Sequence, residues 1–96
     1  MPEGSQFTKK PENITLKEGG TGKATCDGKG VPKPKISWIK AGEKMLPANF
    51  KIVANKTLVI EKAVLSNSGE YFCIVANGPA SNSVFYVNVE SKFVLL

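Results

Sequence analysis

Short runs of alternating apolar and polar residues, separated by turn residues, dominate this chain. No window shows the i, i+3, i+4, i+7 apolar spacing of an amphipathic helix. Turn residues recur every 8–12 residues or so, which is typical of an antiparallel β-sandwich or barrel of about seven or eight strands. A single helical turn is expected within "VLSNS", at 64–68. The predicted strands lie in "ITLK", "GKATCDG", "KISWIKA", "FKIVA", "TLVIEKA", "EYFCIVA" and "SVFYVNV".

The run "EYFCIVA" is apolar on both of its faces. In an extended segment every second residue shares a face, so Tyr71, Cys73 and Val75 point one way. Phe72 and Ile74 point the other way and are apolar too. Such a strand is either buried on both sides or has one face reserved for a partner.

Composition narrows the class of protein and of partner. A chain of 96 residues is long enough for one domain, and its net charge of +5 comes from Lys alone, because the chain has no Arg. Without the guanidinium fork that reads bases and phosphates, we expect no nucleic-acid partner. No apolar run approaches the length of about 18 residues that a membrane span needs, so we expect no direct membrane insertion by this domain.

Cysteine and histidine usage leaves little room for a metal or a catalytic centre. Cys26 and Cys73 are the two cysteines, and there is no His. Since zinc usually takes about four ligands, these two form either a structural disulfide or a pair of buried thiols. The common general base near neutral pH is missing, and the glycines at 19, 20 and 22 lead into a strand rather than a helix. We therefore expect no enzyme and no cofactor.

The termini suggest where the domain ends. Residues 1–5, "MPEGS", are expected to be linker or non-native residues. The domain itself is expected to span 6–90. Because "VNVE" should complete the last strand, we expect 91–96 to begin a linker toward a following domain.

Several residues in order then carry a family resemblance: Cys26, Trp38, "LVI" at 58–60 and "SNSGEYFC" at 66–73. This spacing resembles the immunoglobulin-like domains, and "GVPKPKISWIK" and "IVANGPASNSVFYVNV" resemble their I-set subclass. The resemblance implies an all-β, two-sheet antiparallel sandwich. It also implies an inter-sheet disulfide between Cys26 and Cys73, a core containing Trp38 and Leu58, and a tyrosine corner at Tyr71.

One position departs from the family's pattern. Asn67 stands where the family usually has an Asp that interacts with a basic side chain near the fourth strand. The departure implies that Lys51 lacks its anionic partner, with a modest loss of stability and no change of fold.

The same resemblance defines an outward apolar set on the strands called C, F and G in this family. A contiguous apolar patch usually marks an interface, and its aromatic residues are typical binding anchors. The alternative is cross-strand pairing, which stabilises a sheet by about 0.2–1 kcal/mol per pair without any partner. The candidate interface residues are Ile39, Phe72, Ile74, Val84 and Tyr86.

Two further surface features suggest modification and binding. Asn13 in "NIT" and Asn55 in "NKT" are candidate N-glycosylation sites in a secretory setting. Four lysines are expected to cluster near one end of the domain, either as a solvated loop or as a contact for a sulphated glycan or an acidic protein. They are Lys23, Lys29, Lys33 and Lys35.

Two function classes follow from these features. The first is a protein-binding module, homophilic or heterophilic, of an extracellular or cell-surface adhesion, receptor or matrix protein. The cysteine pair and the sequons favour that oxidising compartment. The second is a structural link domain in a cytoplasmic, sarcomeric or cytoskeletal multi-domain protein.

Overall fold

The computed structural model describes residues 3–92, and these residues form an antiparallel sandwich built from short strands. The described elements are β1 Glu3–Lys9, β2 Ile14–Lys17, β3 Gly22–Thr25, β4 Asp27–Val31, β5 Lys35–Lys40, β6 Phe50–Val53, β7 Thr57–Ile60, a 3₁₀ turn Leu65–Asn67, β8 Gly69–Ala76 and β9 Ala80–Glu90. The all-β prediction is confirmed. The predicted helical turn is the 3₁₀ turn.

The strands form two layers. One layer has the order β2-β9-β8-β5, with β2 parallel to β9 and the remaining pairs antiparallel. The other contains β3-β7-β6, and β1 pairs with β4, the continuation of β3 beyond Cys26. The predicted run "GKATCDG" is thus divided at Cys26 into β3 and β4.

The ends of the chain differ from the expected boundaries. β1 begins at Glu3, which pairs with Val31 on β4, so the strand includes residues 3–5 that the sequence pattern left outside the domain. Glu90 is the last residue of β9. The linker expected at 91–96 lies largely outside the described residues, as do residues 1 and 2 of the expected start.

The two layers are joined by a disulfide between Cys26 and Cys73, with a Cα–Cα distance of 6.5 Å. It closes a sequence separation of 47 residues, which is worth about 4 kcal/mol by the loop-entropy argument. Trp38 lies opposite Cys73 in the β5–β8 register. Both cysteines, Trp38 and Leu58 are buried.

A chain of aromatic rings runs through the core beside the disulfide. The Tyr71 ring stacks between Phe50 and Phe85, with centroid distances of 5.3 Å and 5.7 Å. Phe85 meets Trp38 edge-on at 5.7 Å. Such ring pairs add about 0.5–1.5 kcal/mol each beyond their buried area. These rings occupy the space between the layers, so the inner faces of β8 and β9 are fully used by the core.

The Tyr71 hydroxyl donates a hydrogen bond of 2.6 Å to the carbonyl oxygen of Asn67. This is the corner contact that the family resemblance implies. Burial of the phenol, and then the nearby negative charge of Glu43, raise the pKa of Tyr71 to about 12.

The Asn67 side chain is itself buried, and both its oxygen and its nitrogen form hydrogen bonds. Its Oδ1 accepts from the Val64 backbone N–H at 2.8 Å and from Asn49 Nδ2 at 2.7 Å. Its Nδ2 donates to Asn49 Oδ1 at 3.1 Å. A neutral amide pair therefore occupies the position where the family usually has a carboxylate.

The expectation that Lys51 lacks an anionic partner is wrong. Its Nζ lies 2.6 Å from Glu61 Oε1, just beyond the end of β7. Both side chains are about half-exposed, and such surface pairs are worth at most about 1 kcal/mol. The missing carboxylate at position 67 thus leaves Lys51 paired elsewhere.

We expect Asn67→Asp to destabilise the domain at neutral pH by about 1–3 kcal/mol, because a buried carboxylate would face the Asn49 Oδ1 acceptor. Because only the ionised carboxyl adds a charge to this buried contact, we expect the deficit to be smallest at low pH and to grow as the pH rises. Urea unfolding at several pH values measures this. Asn82→Asp, on an exposed site of β9, is the matched control. An N67D variant at least as stable as the native domain at pH 7 would contradict the expectation.

Tyr71 should make stability fall in alkali. Above about pH 10 the unfolded chain releases the phenol proton while the folded chain keeps it, so the free energy of unfolding falls by about 1.4 kcal/mol per pH unit. Comparing unfolding at about pH 9 and about pH 11, we expect a clearly smaller decrease in Tyr71→Phe than in the native domain, because the raised pKa of Tyr86 contributes in both proteins. Equal decreases in both proteins would show that another group is responsible.

Candidate protein-interaction site

The register of the β2-β9-β8-β5 layer brings the predicted outward residues together. Ile39 on β5 pairs with Phe72 on β8, and Phe72 pairs with Val84 on β9. The three side chains therefore form one row across three adjacent strands, since directly paired residues lie on the same face of a sheet. We call the surface made by Ile39, Phe72, Ile74, Val84 and Tyr86 the outer apolar face.

The other two members lie in the rows on either side. Ile74 pairs with Ser37 and Asn82, and Tyr86 pairs with Glu70. The apolar row is thus flanked on both sides by rows that carry polar side chains, the usual arrangement of an interface core and its rim.

The outer apolar face is accessible to solvent. The exposed fractions are 41% for Ile39, 45% for Val84 and 50% for Tyr86, and Phe72 and Ile74 are half-buried. The opposite faces of the same strands carry Trp38, Tyr71 and Phe85 in the core. Apolar side chains therefore remain in contact with water after the core has been filled.

The polar end of this face is organised by Tyr86. Its hydroxyl donates to Glu70 Oε2 at 3.2 Å, across the strand pair in which the two residues are opposite one another. This hydrogen bond to a carboxylate raises the pKa of Tyr86. The side chain consequently leans from β9 toward β8.

The sequon at Asn13 lies beside Tyr86, a neighbour that sequence reasoning missed. Asn13 directly precedes β2, and its Oδ1 accepts a hydrogen bond of 2.9 Å from the Tyr86 backbone N–H. Ile14 pairs with Val87 in the parallel register, and both are buried. Asn13 and Thr15 consequently lie on the outward side, and both are exposed. Only the parallel β2–β9 pairing could have revealed this, and it leaves no local pattern in the sequence.

The four predicted lysines do not all line the same cavity. Lys33 and Lys35 line a cavity of about 390 Å³ together with Lys56, which sequence reasoning left out. Lys23 lines a different cavity of about 200 Å³ with Lys9 and Lys10. Lys29 lies on β4, and lines neither cavity. Lys33 and Lys35 thus share a cavity that Lys23 and Lys29 do not line, and a single cluster of all four lysines stays a prediction.

The larger cavity also contains an acid and the second sequon. Lys56 Nζ lies 3.0 Å from Asp27 Oδ2, and this hydrogen bond, followed by one from the Gly28 backbone N–H, lowers the pKa of Asp27. Asn55 is exposed at the rim, on the turn between β6 and β7. Lys56 is thus partly neutralised, while no ion pair of Lys33 or Lys35 is found among the described residues.

Two kinds of site are not found in residues 3–92. No group of three or more His, Cys, Asp or Glu side chains is placed to hold a metal ion. In the same range, no helix has both the length and the apolar character needed to traverse a bilayer.

Sequence comparison finds relatives much longer than this chain. The chain is 32% identical over 83 residues to protein amalgam of Drosophila melanogaster, covering 86% of this chain and 25% of amalgam. It is 34% identical over 76 residues to human protogenin, covering 78% of this chain and 6% of protogenin. The chain therefore corresponds to a small part of the relatives that it matches.

Comparison with solved structures agrees on the fold. The extracellular domains 3–5 of Drosophila OTK superpose with a TM-score of 0.82 at 27% identity, covering 91% of this chain and 30% of that chain. A chimeric titin Z1Z2 superposes with a TM-score of 0.84 at 22% identity, covering 96% of this chain and 99% of that chain. The family model of the immunoglobulin I-set domain matches residues 5–89. The chain therefore belongs to the immunoglobulin I-set family.

Proposed function

We propose that this domain is a non-catalytic protein-binding module of an extracellular adhesion, receptor or matrix protein, and that it binds a second copy of itself through the outer apolar face. The row Ile39–Phe72–Val84 is the observation that carries the proposal. Folding does not require these outward positions to be apolar, because the inner faces of β5, β8 and β9 already complete the core.

The shape of the row favours a second copy as the occupant. Phe72 lies at its centre, with a branched aliphatic residue on the adjacent strand at each side. A two-fold axis passing near Phe72 would place the same row against itself, which is the isologous contact of most homodimers. The patch is small compared with standard interfaces, so a weak and reversible dimer is expected.

The compartment is inferred from covalent chemistry. A disulfide between Cys26 and Cys73 persists in oxidising surroundings, and two exposed sequons are compatible with a secretory route. The likeness to titin domains, at 22% identity, shows the fold alone and does not favour the sarcomeric alternative.

We expect the native domain, prepared without glycosylation, to show a reversible monomer–dimer equilibrium in sedimentation experiments between micromolar and submillimolar concentrations. Phe72→Lys and Val84→Lys should both abolish it, because each places a charge in the apolar row. Ile52→Lys is the matched control, since Ile52 on β6 has the same 45% exposure as Val84 but lies in the other layer.

The outcome separates an interface from simple cross-strand pairing. If the row only stabilises the sheet, the native domain stays monomeric and the two lysine variants lose about 0.2–1 kcal/mol of unfolding free energy per pair. A monomer at every concentration, or a dimer that Val84→Lys leaves intact, would contradict self-association.

We infer a second, independent contact for an acidic partner such as a sulphated glycan at the cavity lined by Lys33, Lys35 and Lys56. Two of these lysines are exposed cations with no carboxylate within ion-pair distance in residues 3–92, and the cavity is concave. Convergent cations in a concave site raise the local concentration of anions.

Heparin chromatography tests this contact. The double substitution Lys33→Gln/Lys35→Gln should lower the salt concentration of elution more than Lys44→Gln/Lys62→Gln, which removes the same total charge from other exposed sites. Elution of the native domain at or below about 0.15 M salt, or equal shifts in the two double variants, would contradict a specific site.

A further inference from the structure

Asn13 is held in a way that leaves one atom of its amide available. Its Oδ1 accepts from the Tyr86 backbone N–H at 2.9 Å, which fixes the side chain at the edge of the sheet next to the outer apolar face. Nδ2, the atom that N-glycosylation modifies, is attached to the same exposed amide. Thr15, the third residue of the sequon, is exposed on the same outward side of β2.

We infer that Asn13 carries an N-linked glycan whose first sugar covers the Tyr86 end of the outer apolar face, so that glycosylation at this one site switches off association through that face. The predicted effect on association rests on the proposed function. The covering of Tyr86 by the sugar does not depend on it.

The modification is a glycosyl transfer from an oligosaccharide carried on a lipid diphosphate. Asn13 Nδ2 forms a bond to the anomeric carbon of the first sugar, the bond from that carbon to the diphosphate oxygen breaks, and the amide releases one proton while the lipid diphosphate leaves. No oxidant or reductant takes part. The product is a secondary amide whose Oδ1 is unchanged, so the hydrogen bond from Tyr86 N–H is retained.

Strand spacing places the sugar on the face. Adjacent strands lie about 4.8 Å apart, so a group on Asn13 begins one strand from Tyr86 and two strands from the β8 row. The Tyr86 hydroxyl is directed toward Glu70 on β8, away from β2, and Tyr86 remains 50% exposed. A sugar linked at Nδ2 can therefore lie against this ring without moving the backbone.

The second sequon gives an internal comparison. Asn55 lies on the turn between β6 and β7, which belong to the other layer, and it lines the lysine cavity rather than the outer apolar face. A glycan there should leave association through the outer face unchanged. The two sequons thus distinguish a local covering effect from the general bulk of a sugar.

The experiment uses the domain secreted from a glycosylating cell line, with site occupancy measured by mass spectrometry. Thr15→Ala removes the Asn13 sequon but keeps the Asn13 side chain, Thr15→Ser keeps the sequon, and Asn55→Asp removes the other site while tolerating its positive φ. We expect self-association to be at least about tenfold tighter in Thr15→Ala than in the native and Thr15→Ser proteins. Asn55→Asp should behave as the native protein.

A second measurement works without any association. In the protein glycosylated at Asn13, NMR should show close contact between the N-acetyl methyl group of the first sugar and the Tyr86 ring. An unoccupied Asn13, a missing contact, or a glycosylated domain that associates as tightly as Thr15→Ala would each overturn the inference. If no form associates but the contact is present, the proposed self-association fails and the covering of Tyr86 stands.

Discussion

The covalent link between the two layers decides which side of each strand is inside. Cys26 and Cys73 can meet only if both of their side chains point into the core. The disulfide therefore fixes which residues of β8 point inward along the whole strand. Tyr71 and Val75 follow Cys73 into the core, and Phe72 and Ile74 are forced outward. The outer apolar face is thus a consequence of the same bond that stabilises the fold.

The outward side of the β2-β9-β8-β5 layer is not needed to complete the core. A chain of aromatic rings from Phe50 to Trp38 completes the core. These rings contact one another, and none of the outward residues belongs to this set of rings. The cavity lined by lysines lies elsewhere, between Pro34 on one side and the β6–β7 turn on the other. An apolar surface and a cationic surface therefore coexist on one small scaffold, and each can change without disturbing the core.

Local alternation was sufficient for most of the fold and for the outward side chains. The strands at β5, β8 and β9 each carry an apolar stripe with a period of two, and the structure places them as that stripe predicts, whereas three consecutive residues of β7 are buried. β1 escaped notice because Phe7 is the one bulky apolar residue in Glu3–Lys9, so no alternation marks it. It is held by backbone pairing with β4, by packing of the partly buried Phe7 against the core and by a hydrogen bond that the Ser5 hydroxyl donates to the Val75 carbonyl oxygen.

The alternation of apolar and polar residues could not predict side-chain contacts between segments that lie apart in the sequence. The Asn49–Asn67 pair, the Lys51–Glu61 pair and the Asn13–Tyr86 contact each depend on how loops and strands meet. The spacing of the motif indicates only that a carboxylate is missing at Asn67. The structure shows that the amide of Asn49 pairs with the amide of Asn67 there. The assignment of Lys23 and Lys33 to different cavities has the same origin, because it depends on how the strands and loops around them meet.

The amide pair has a consequence for the conditions that the corner can withstand. Asn49 and Asn67 carry no charge, so acidification has no proton to add to their contact and dissolved ions have no attraction to screen. A carboxylate in the same place would make this corner sensitive to both. The contact between these two amides should therefore be insensitive to both salt and acid.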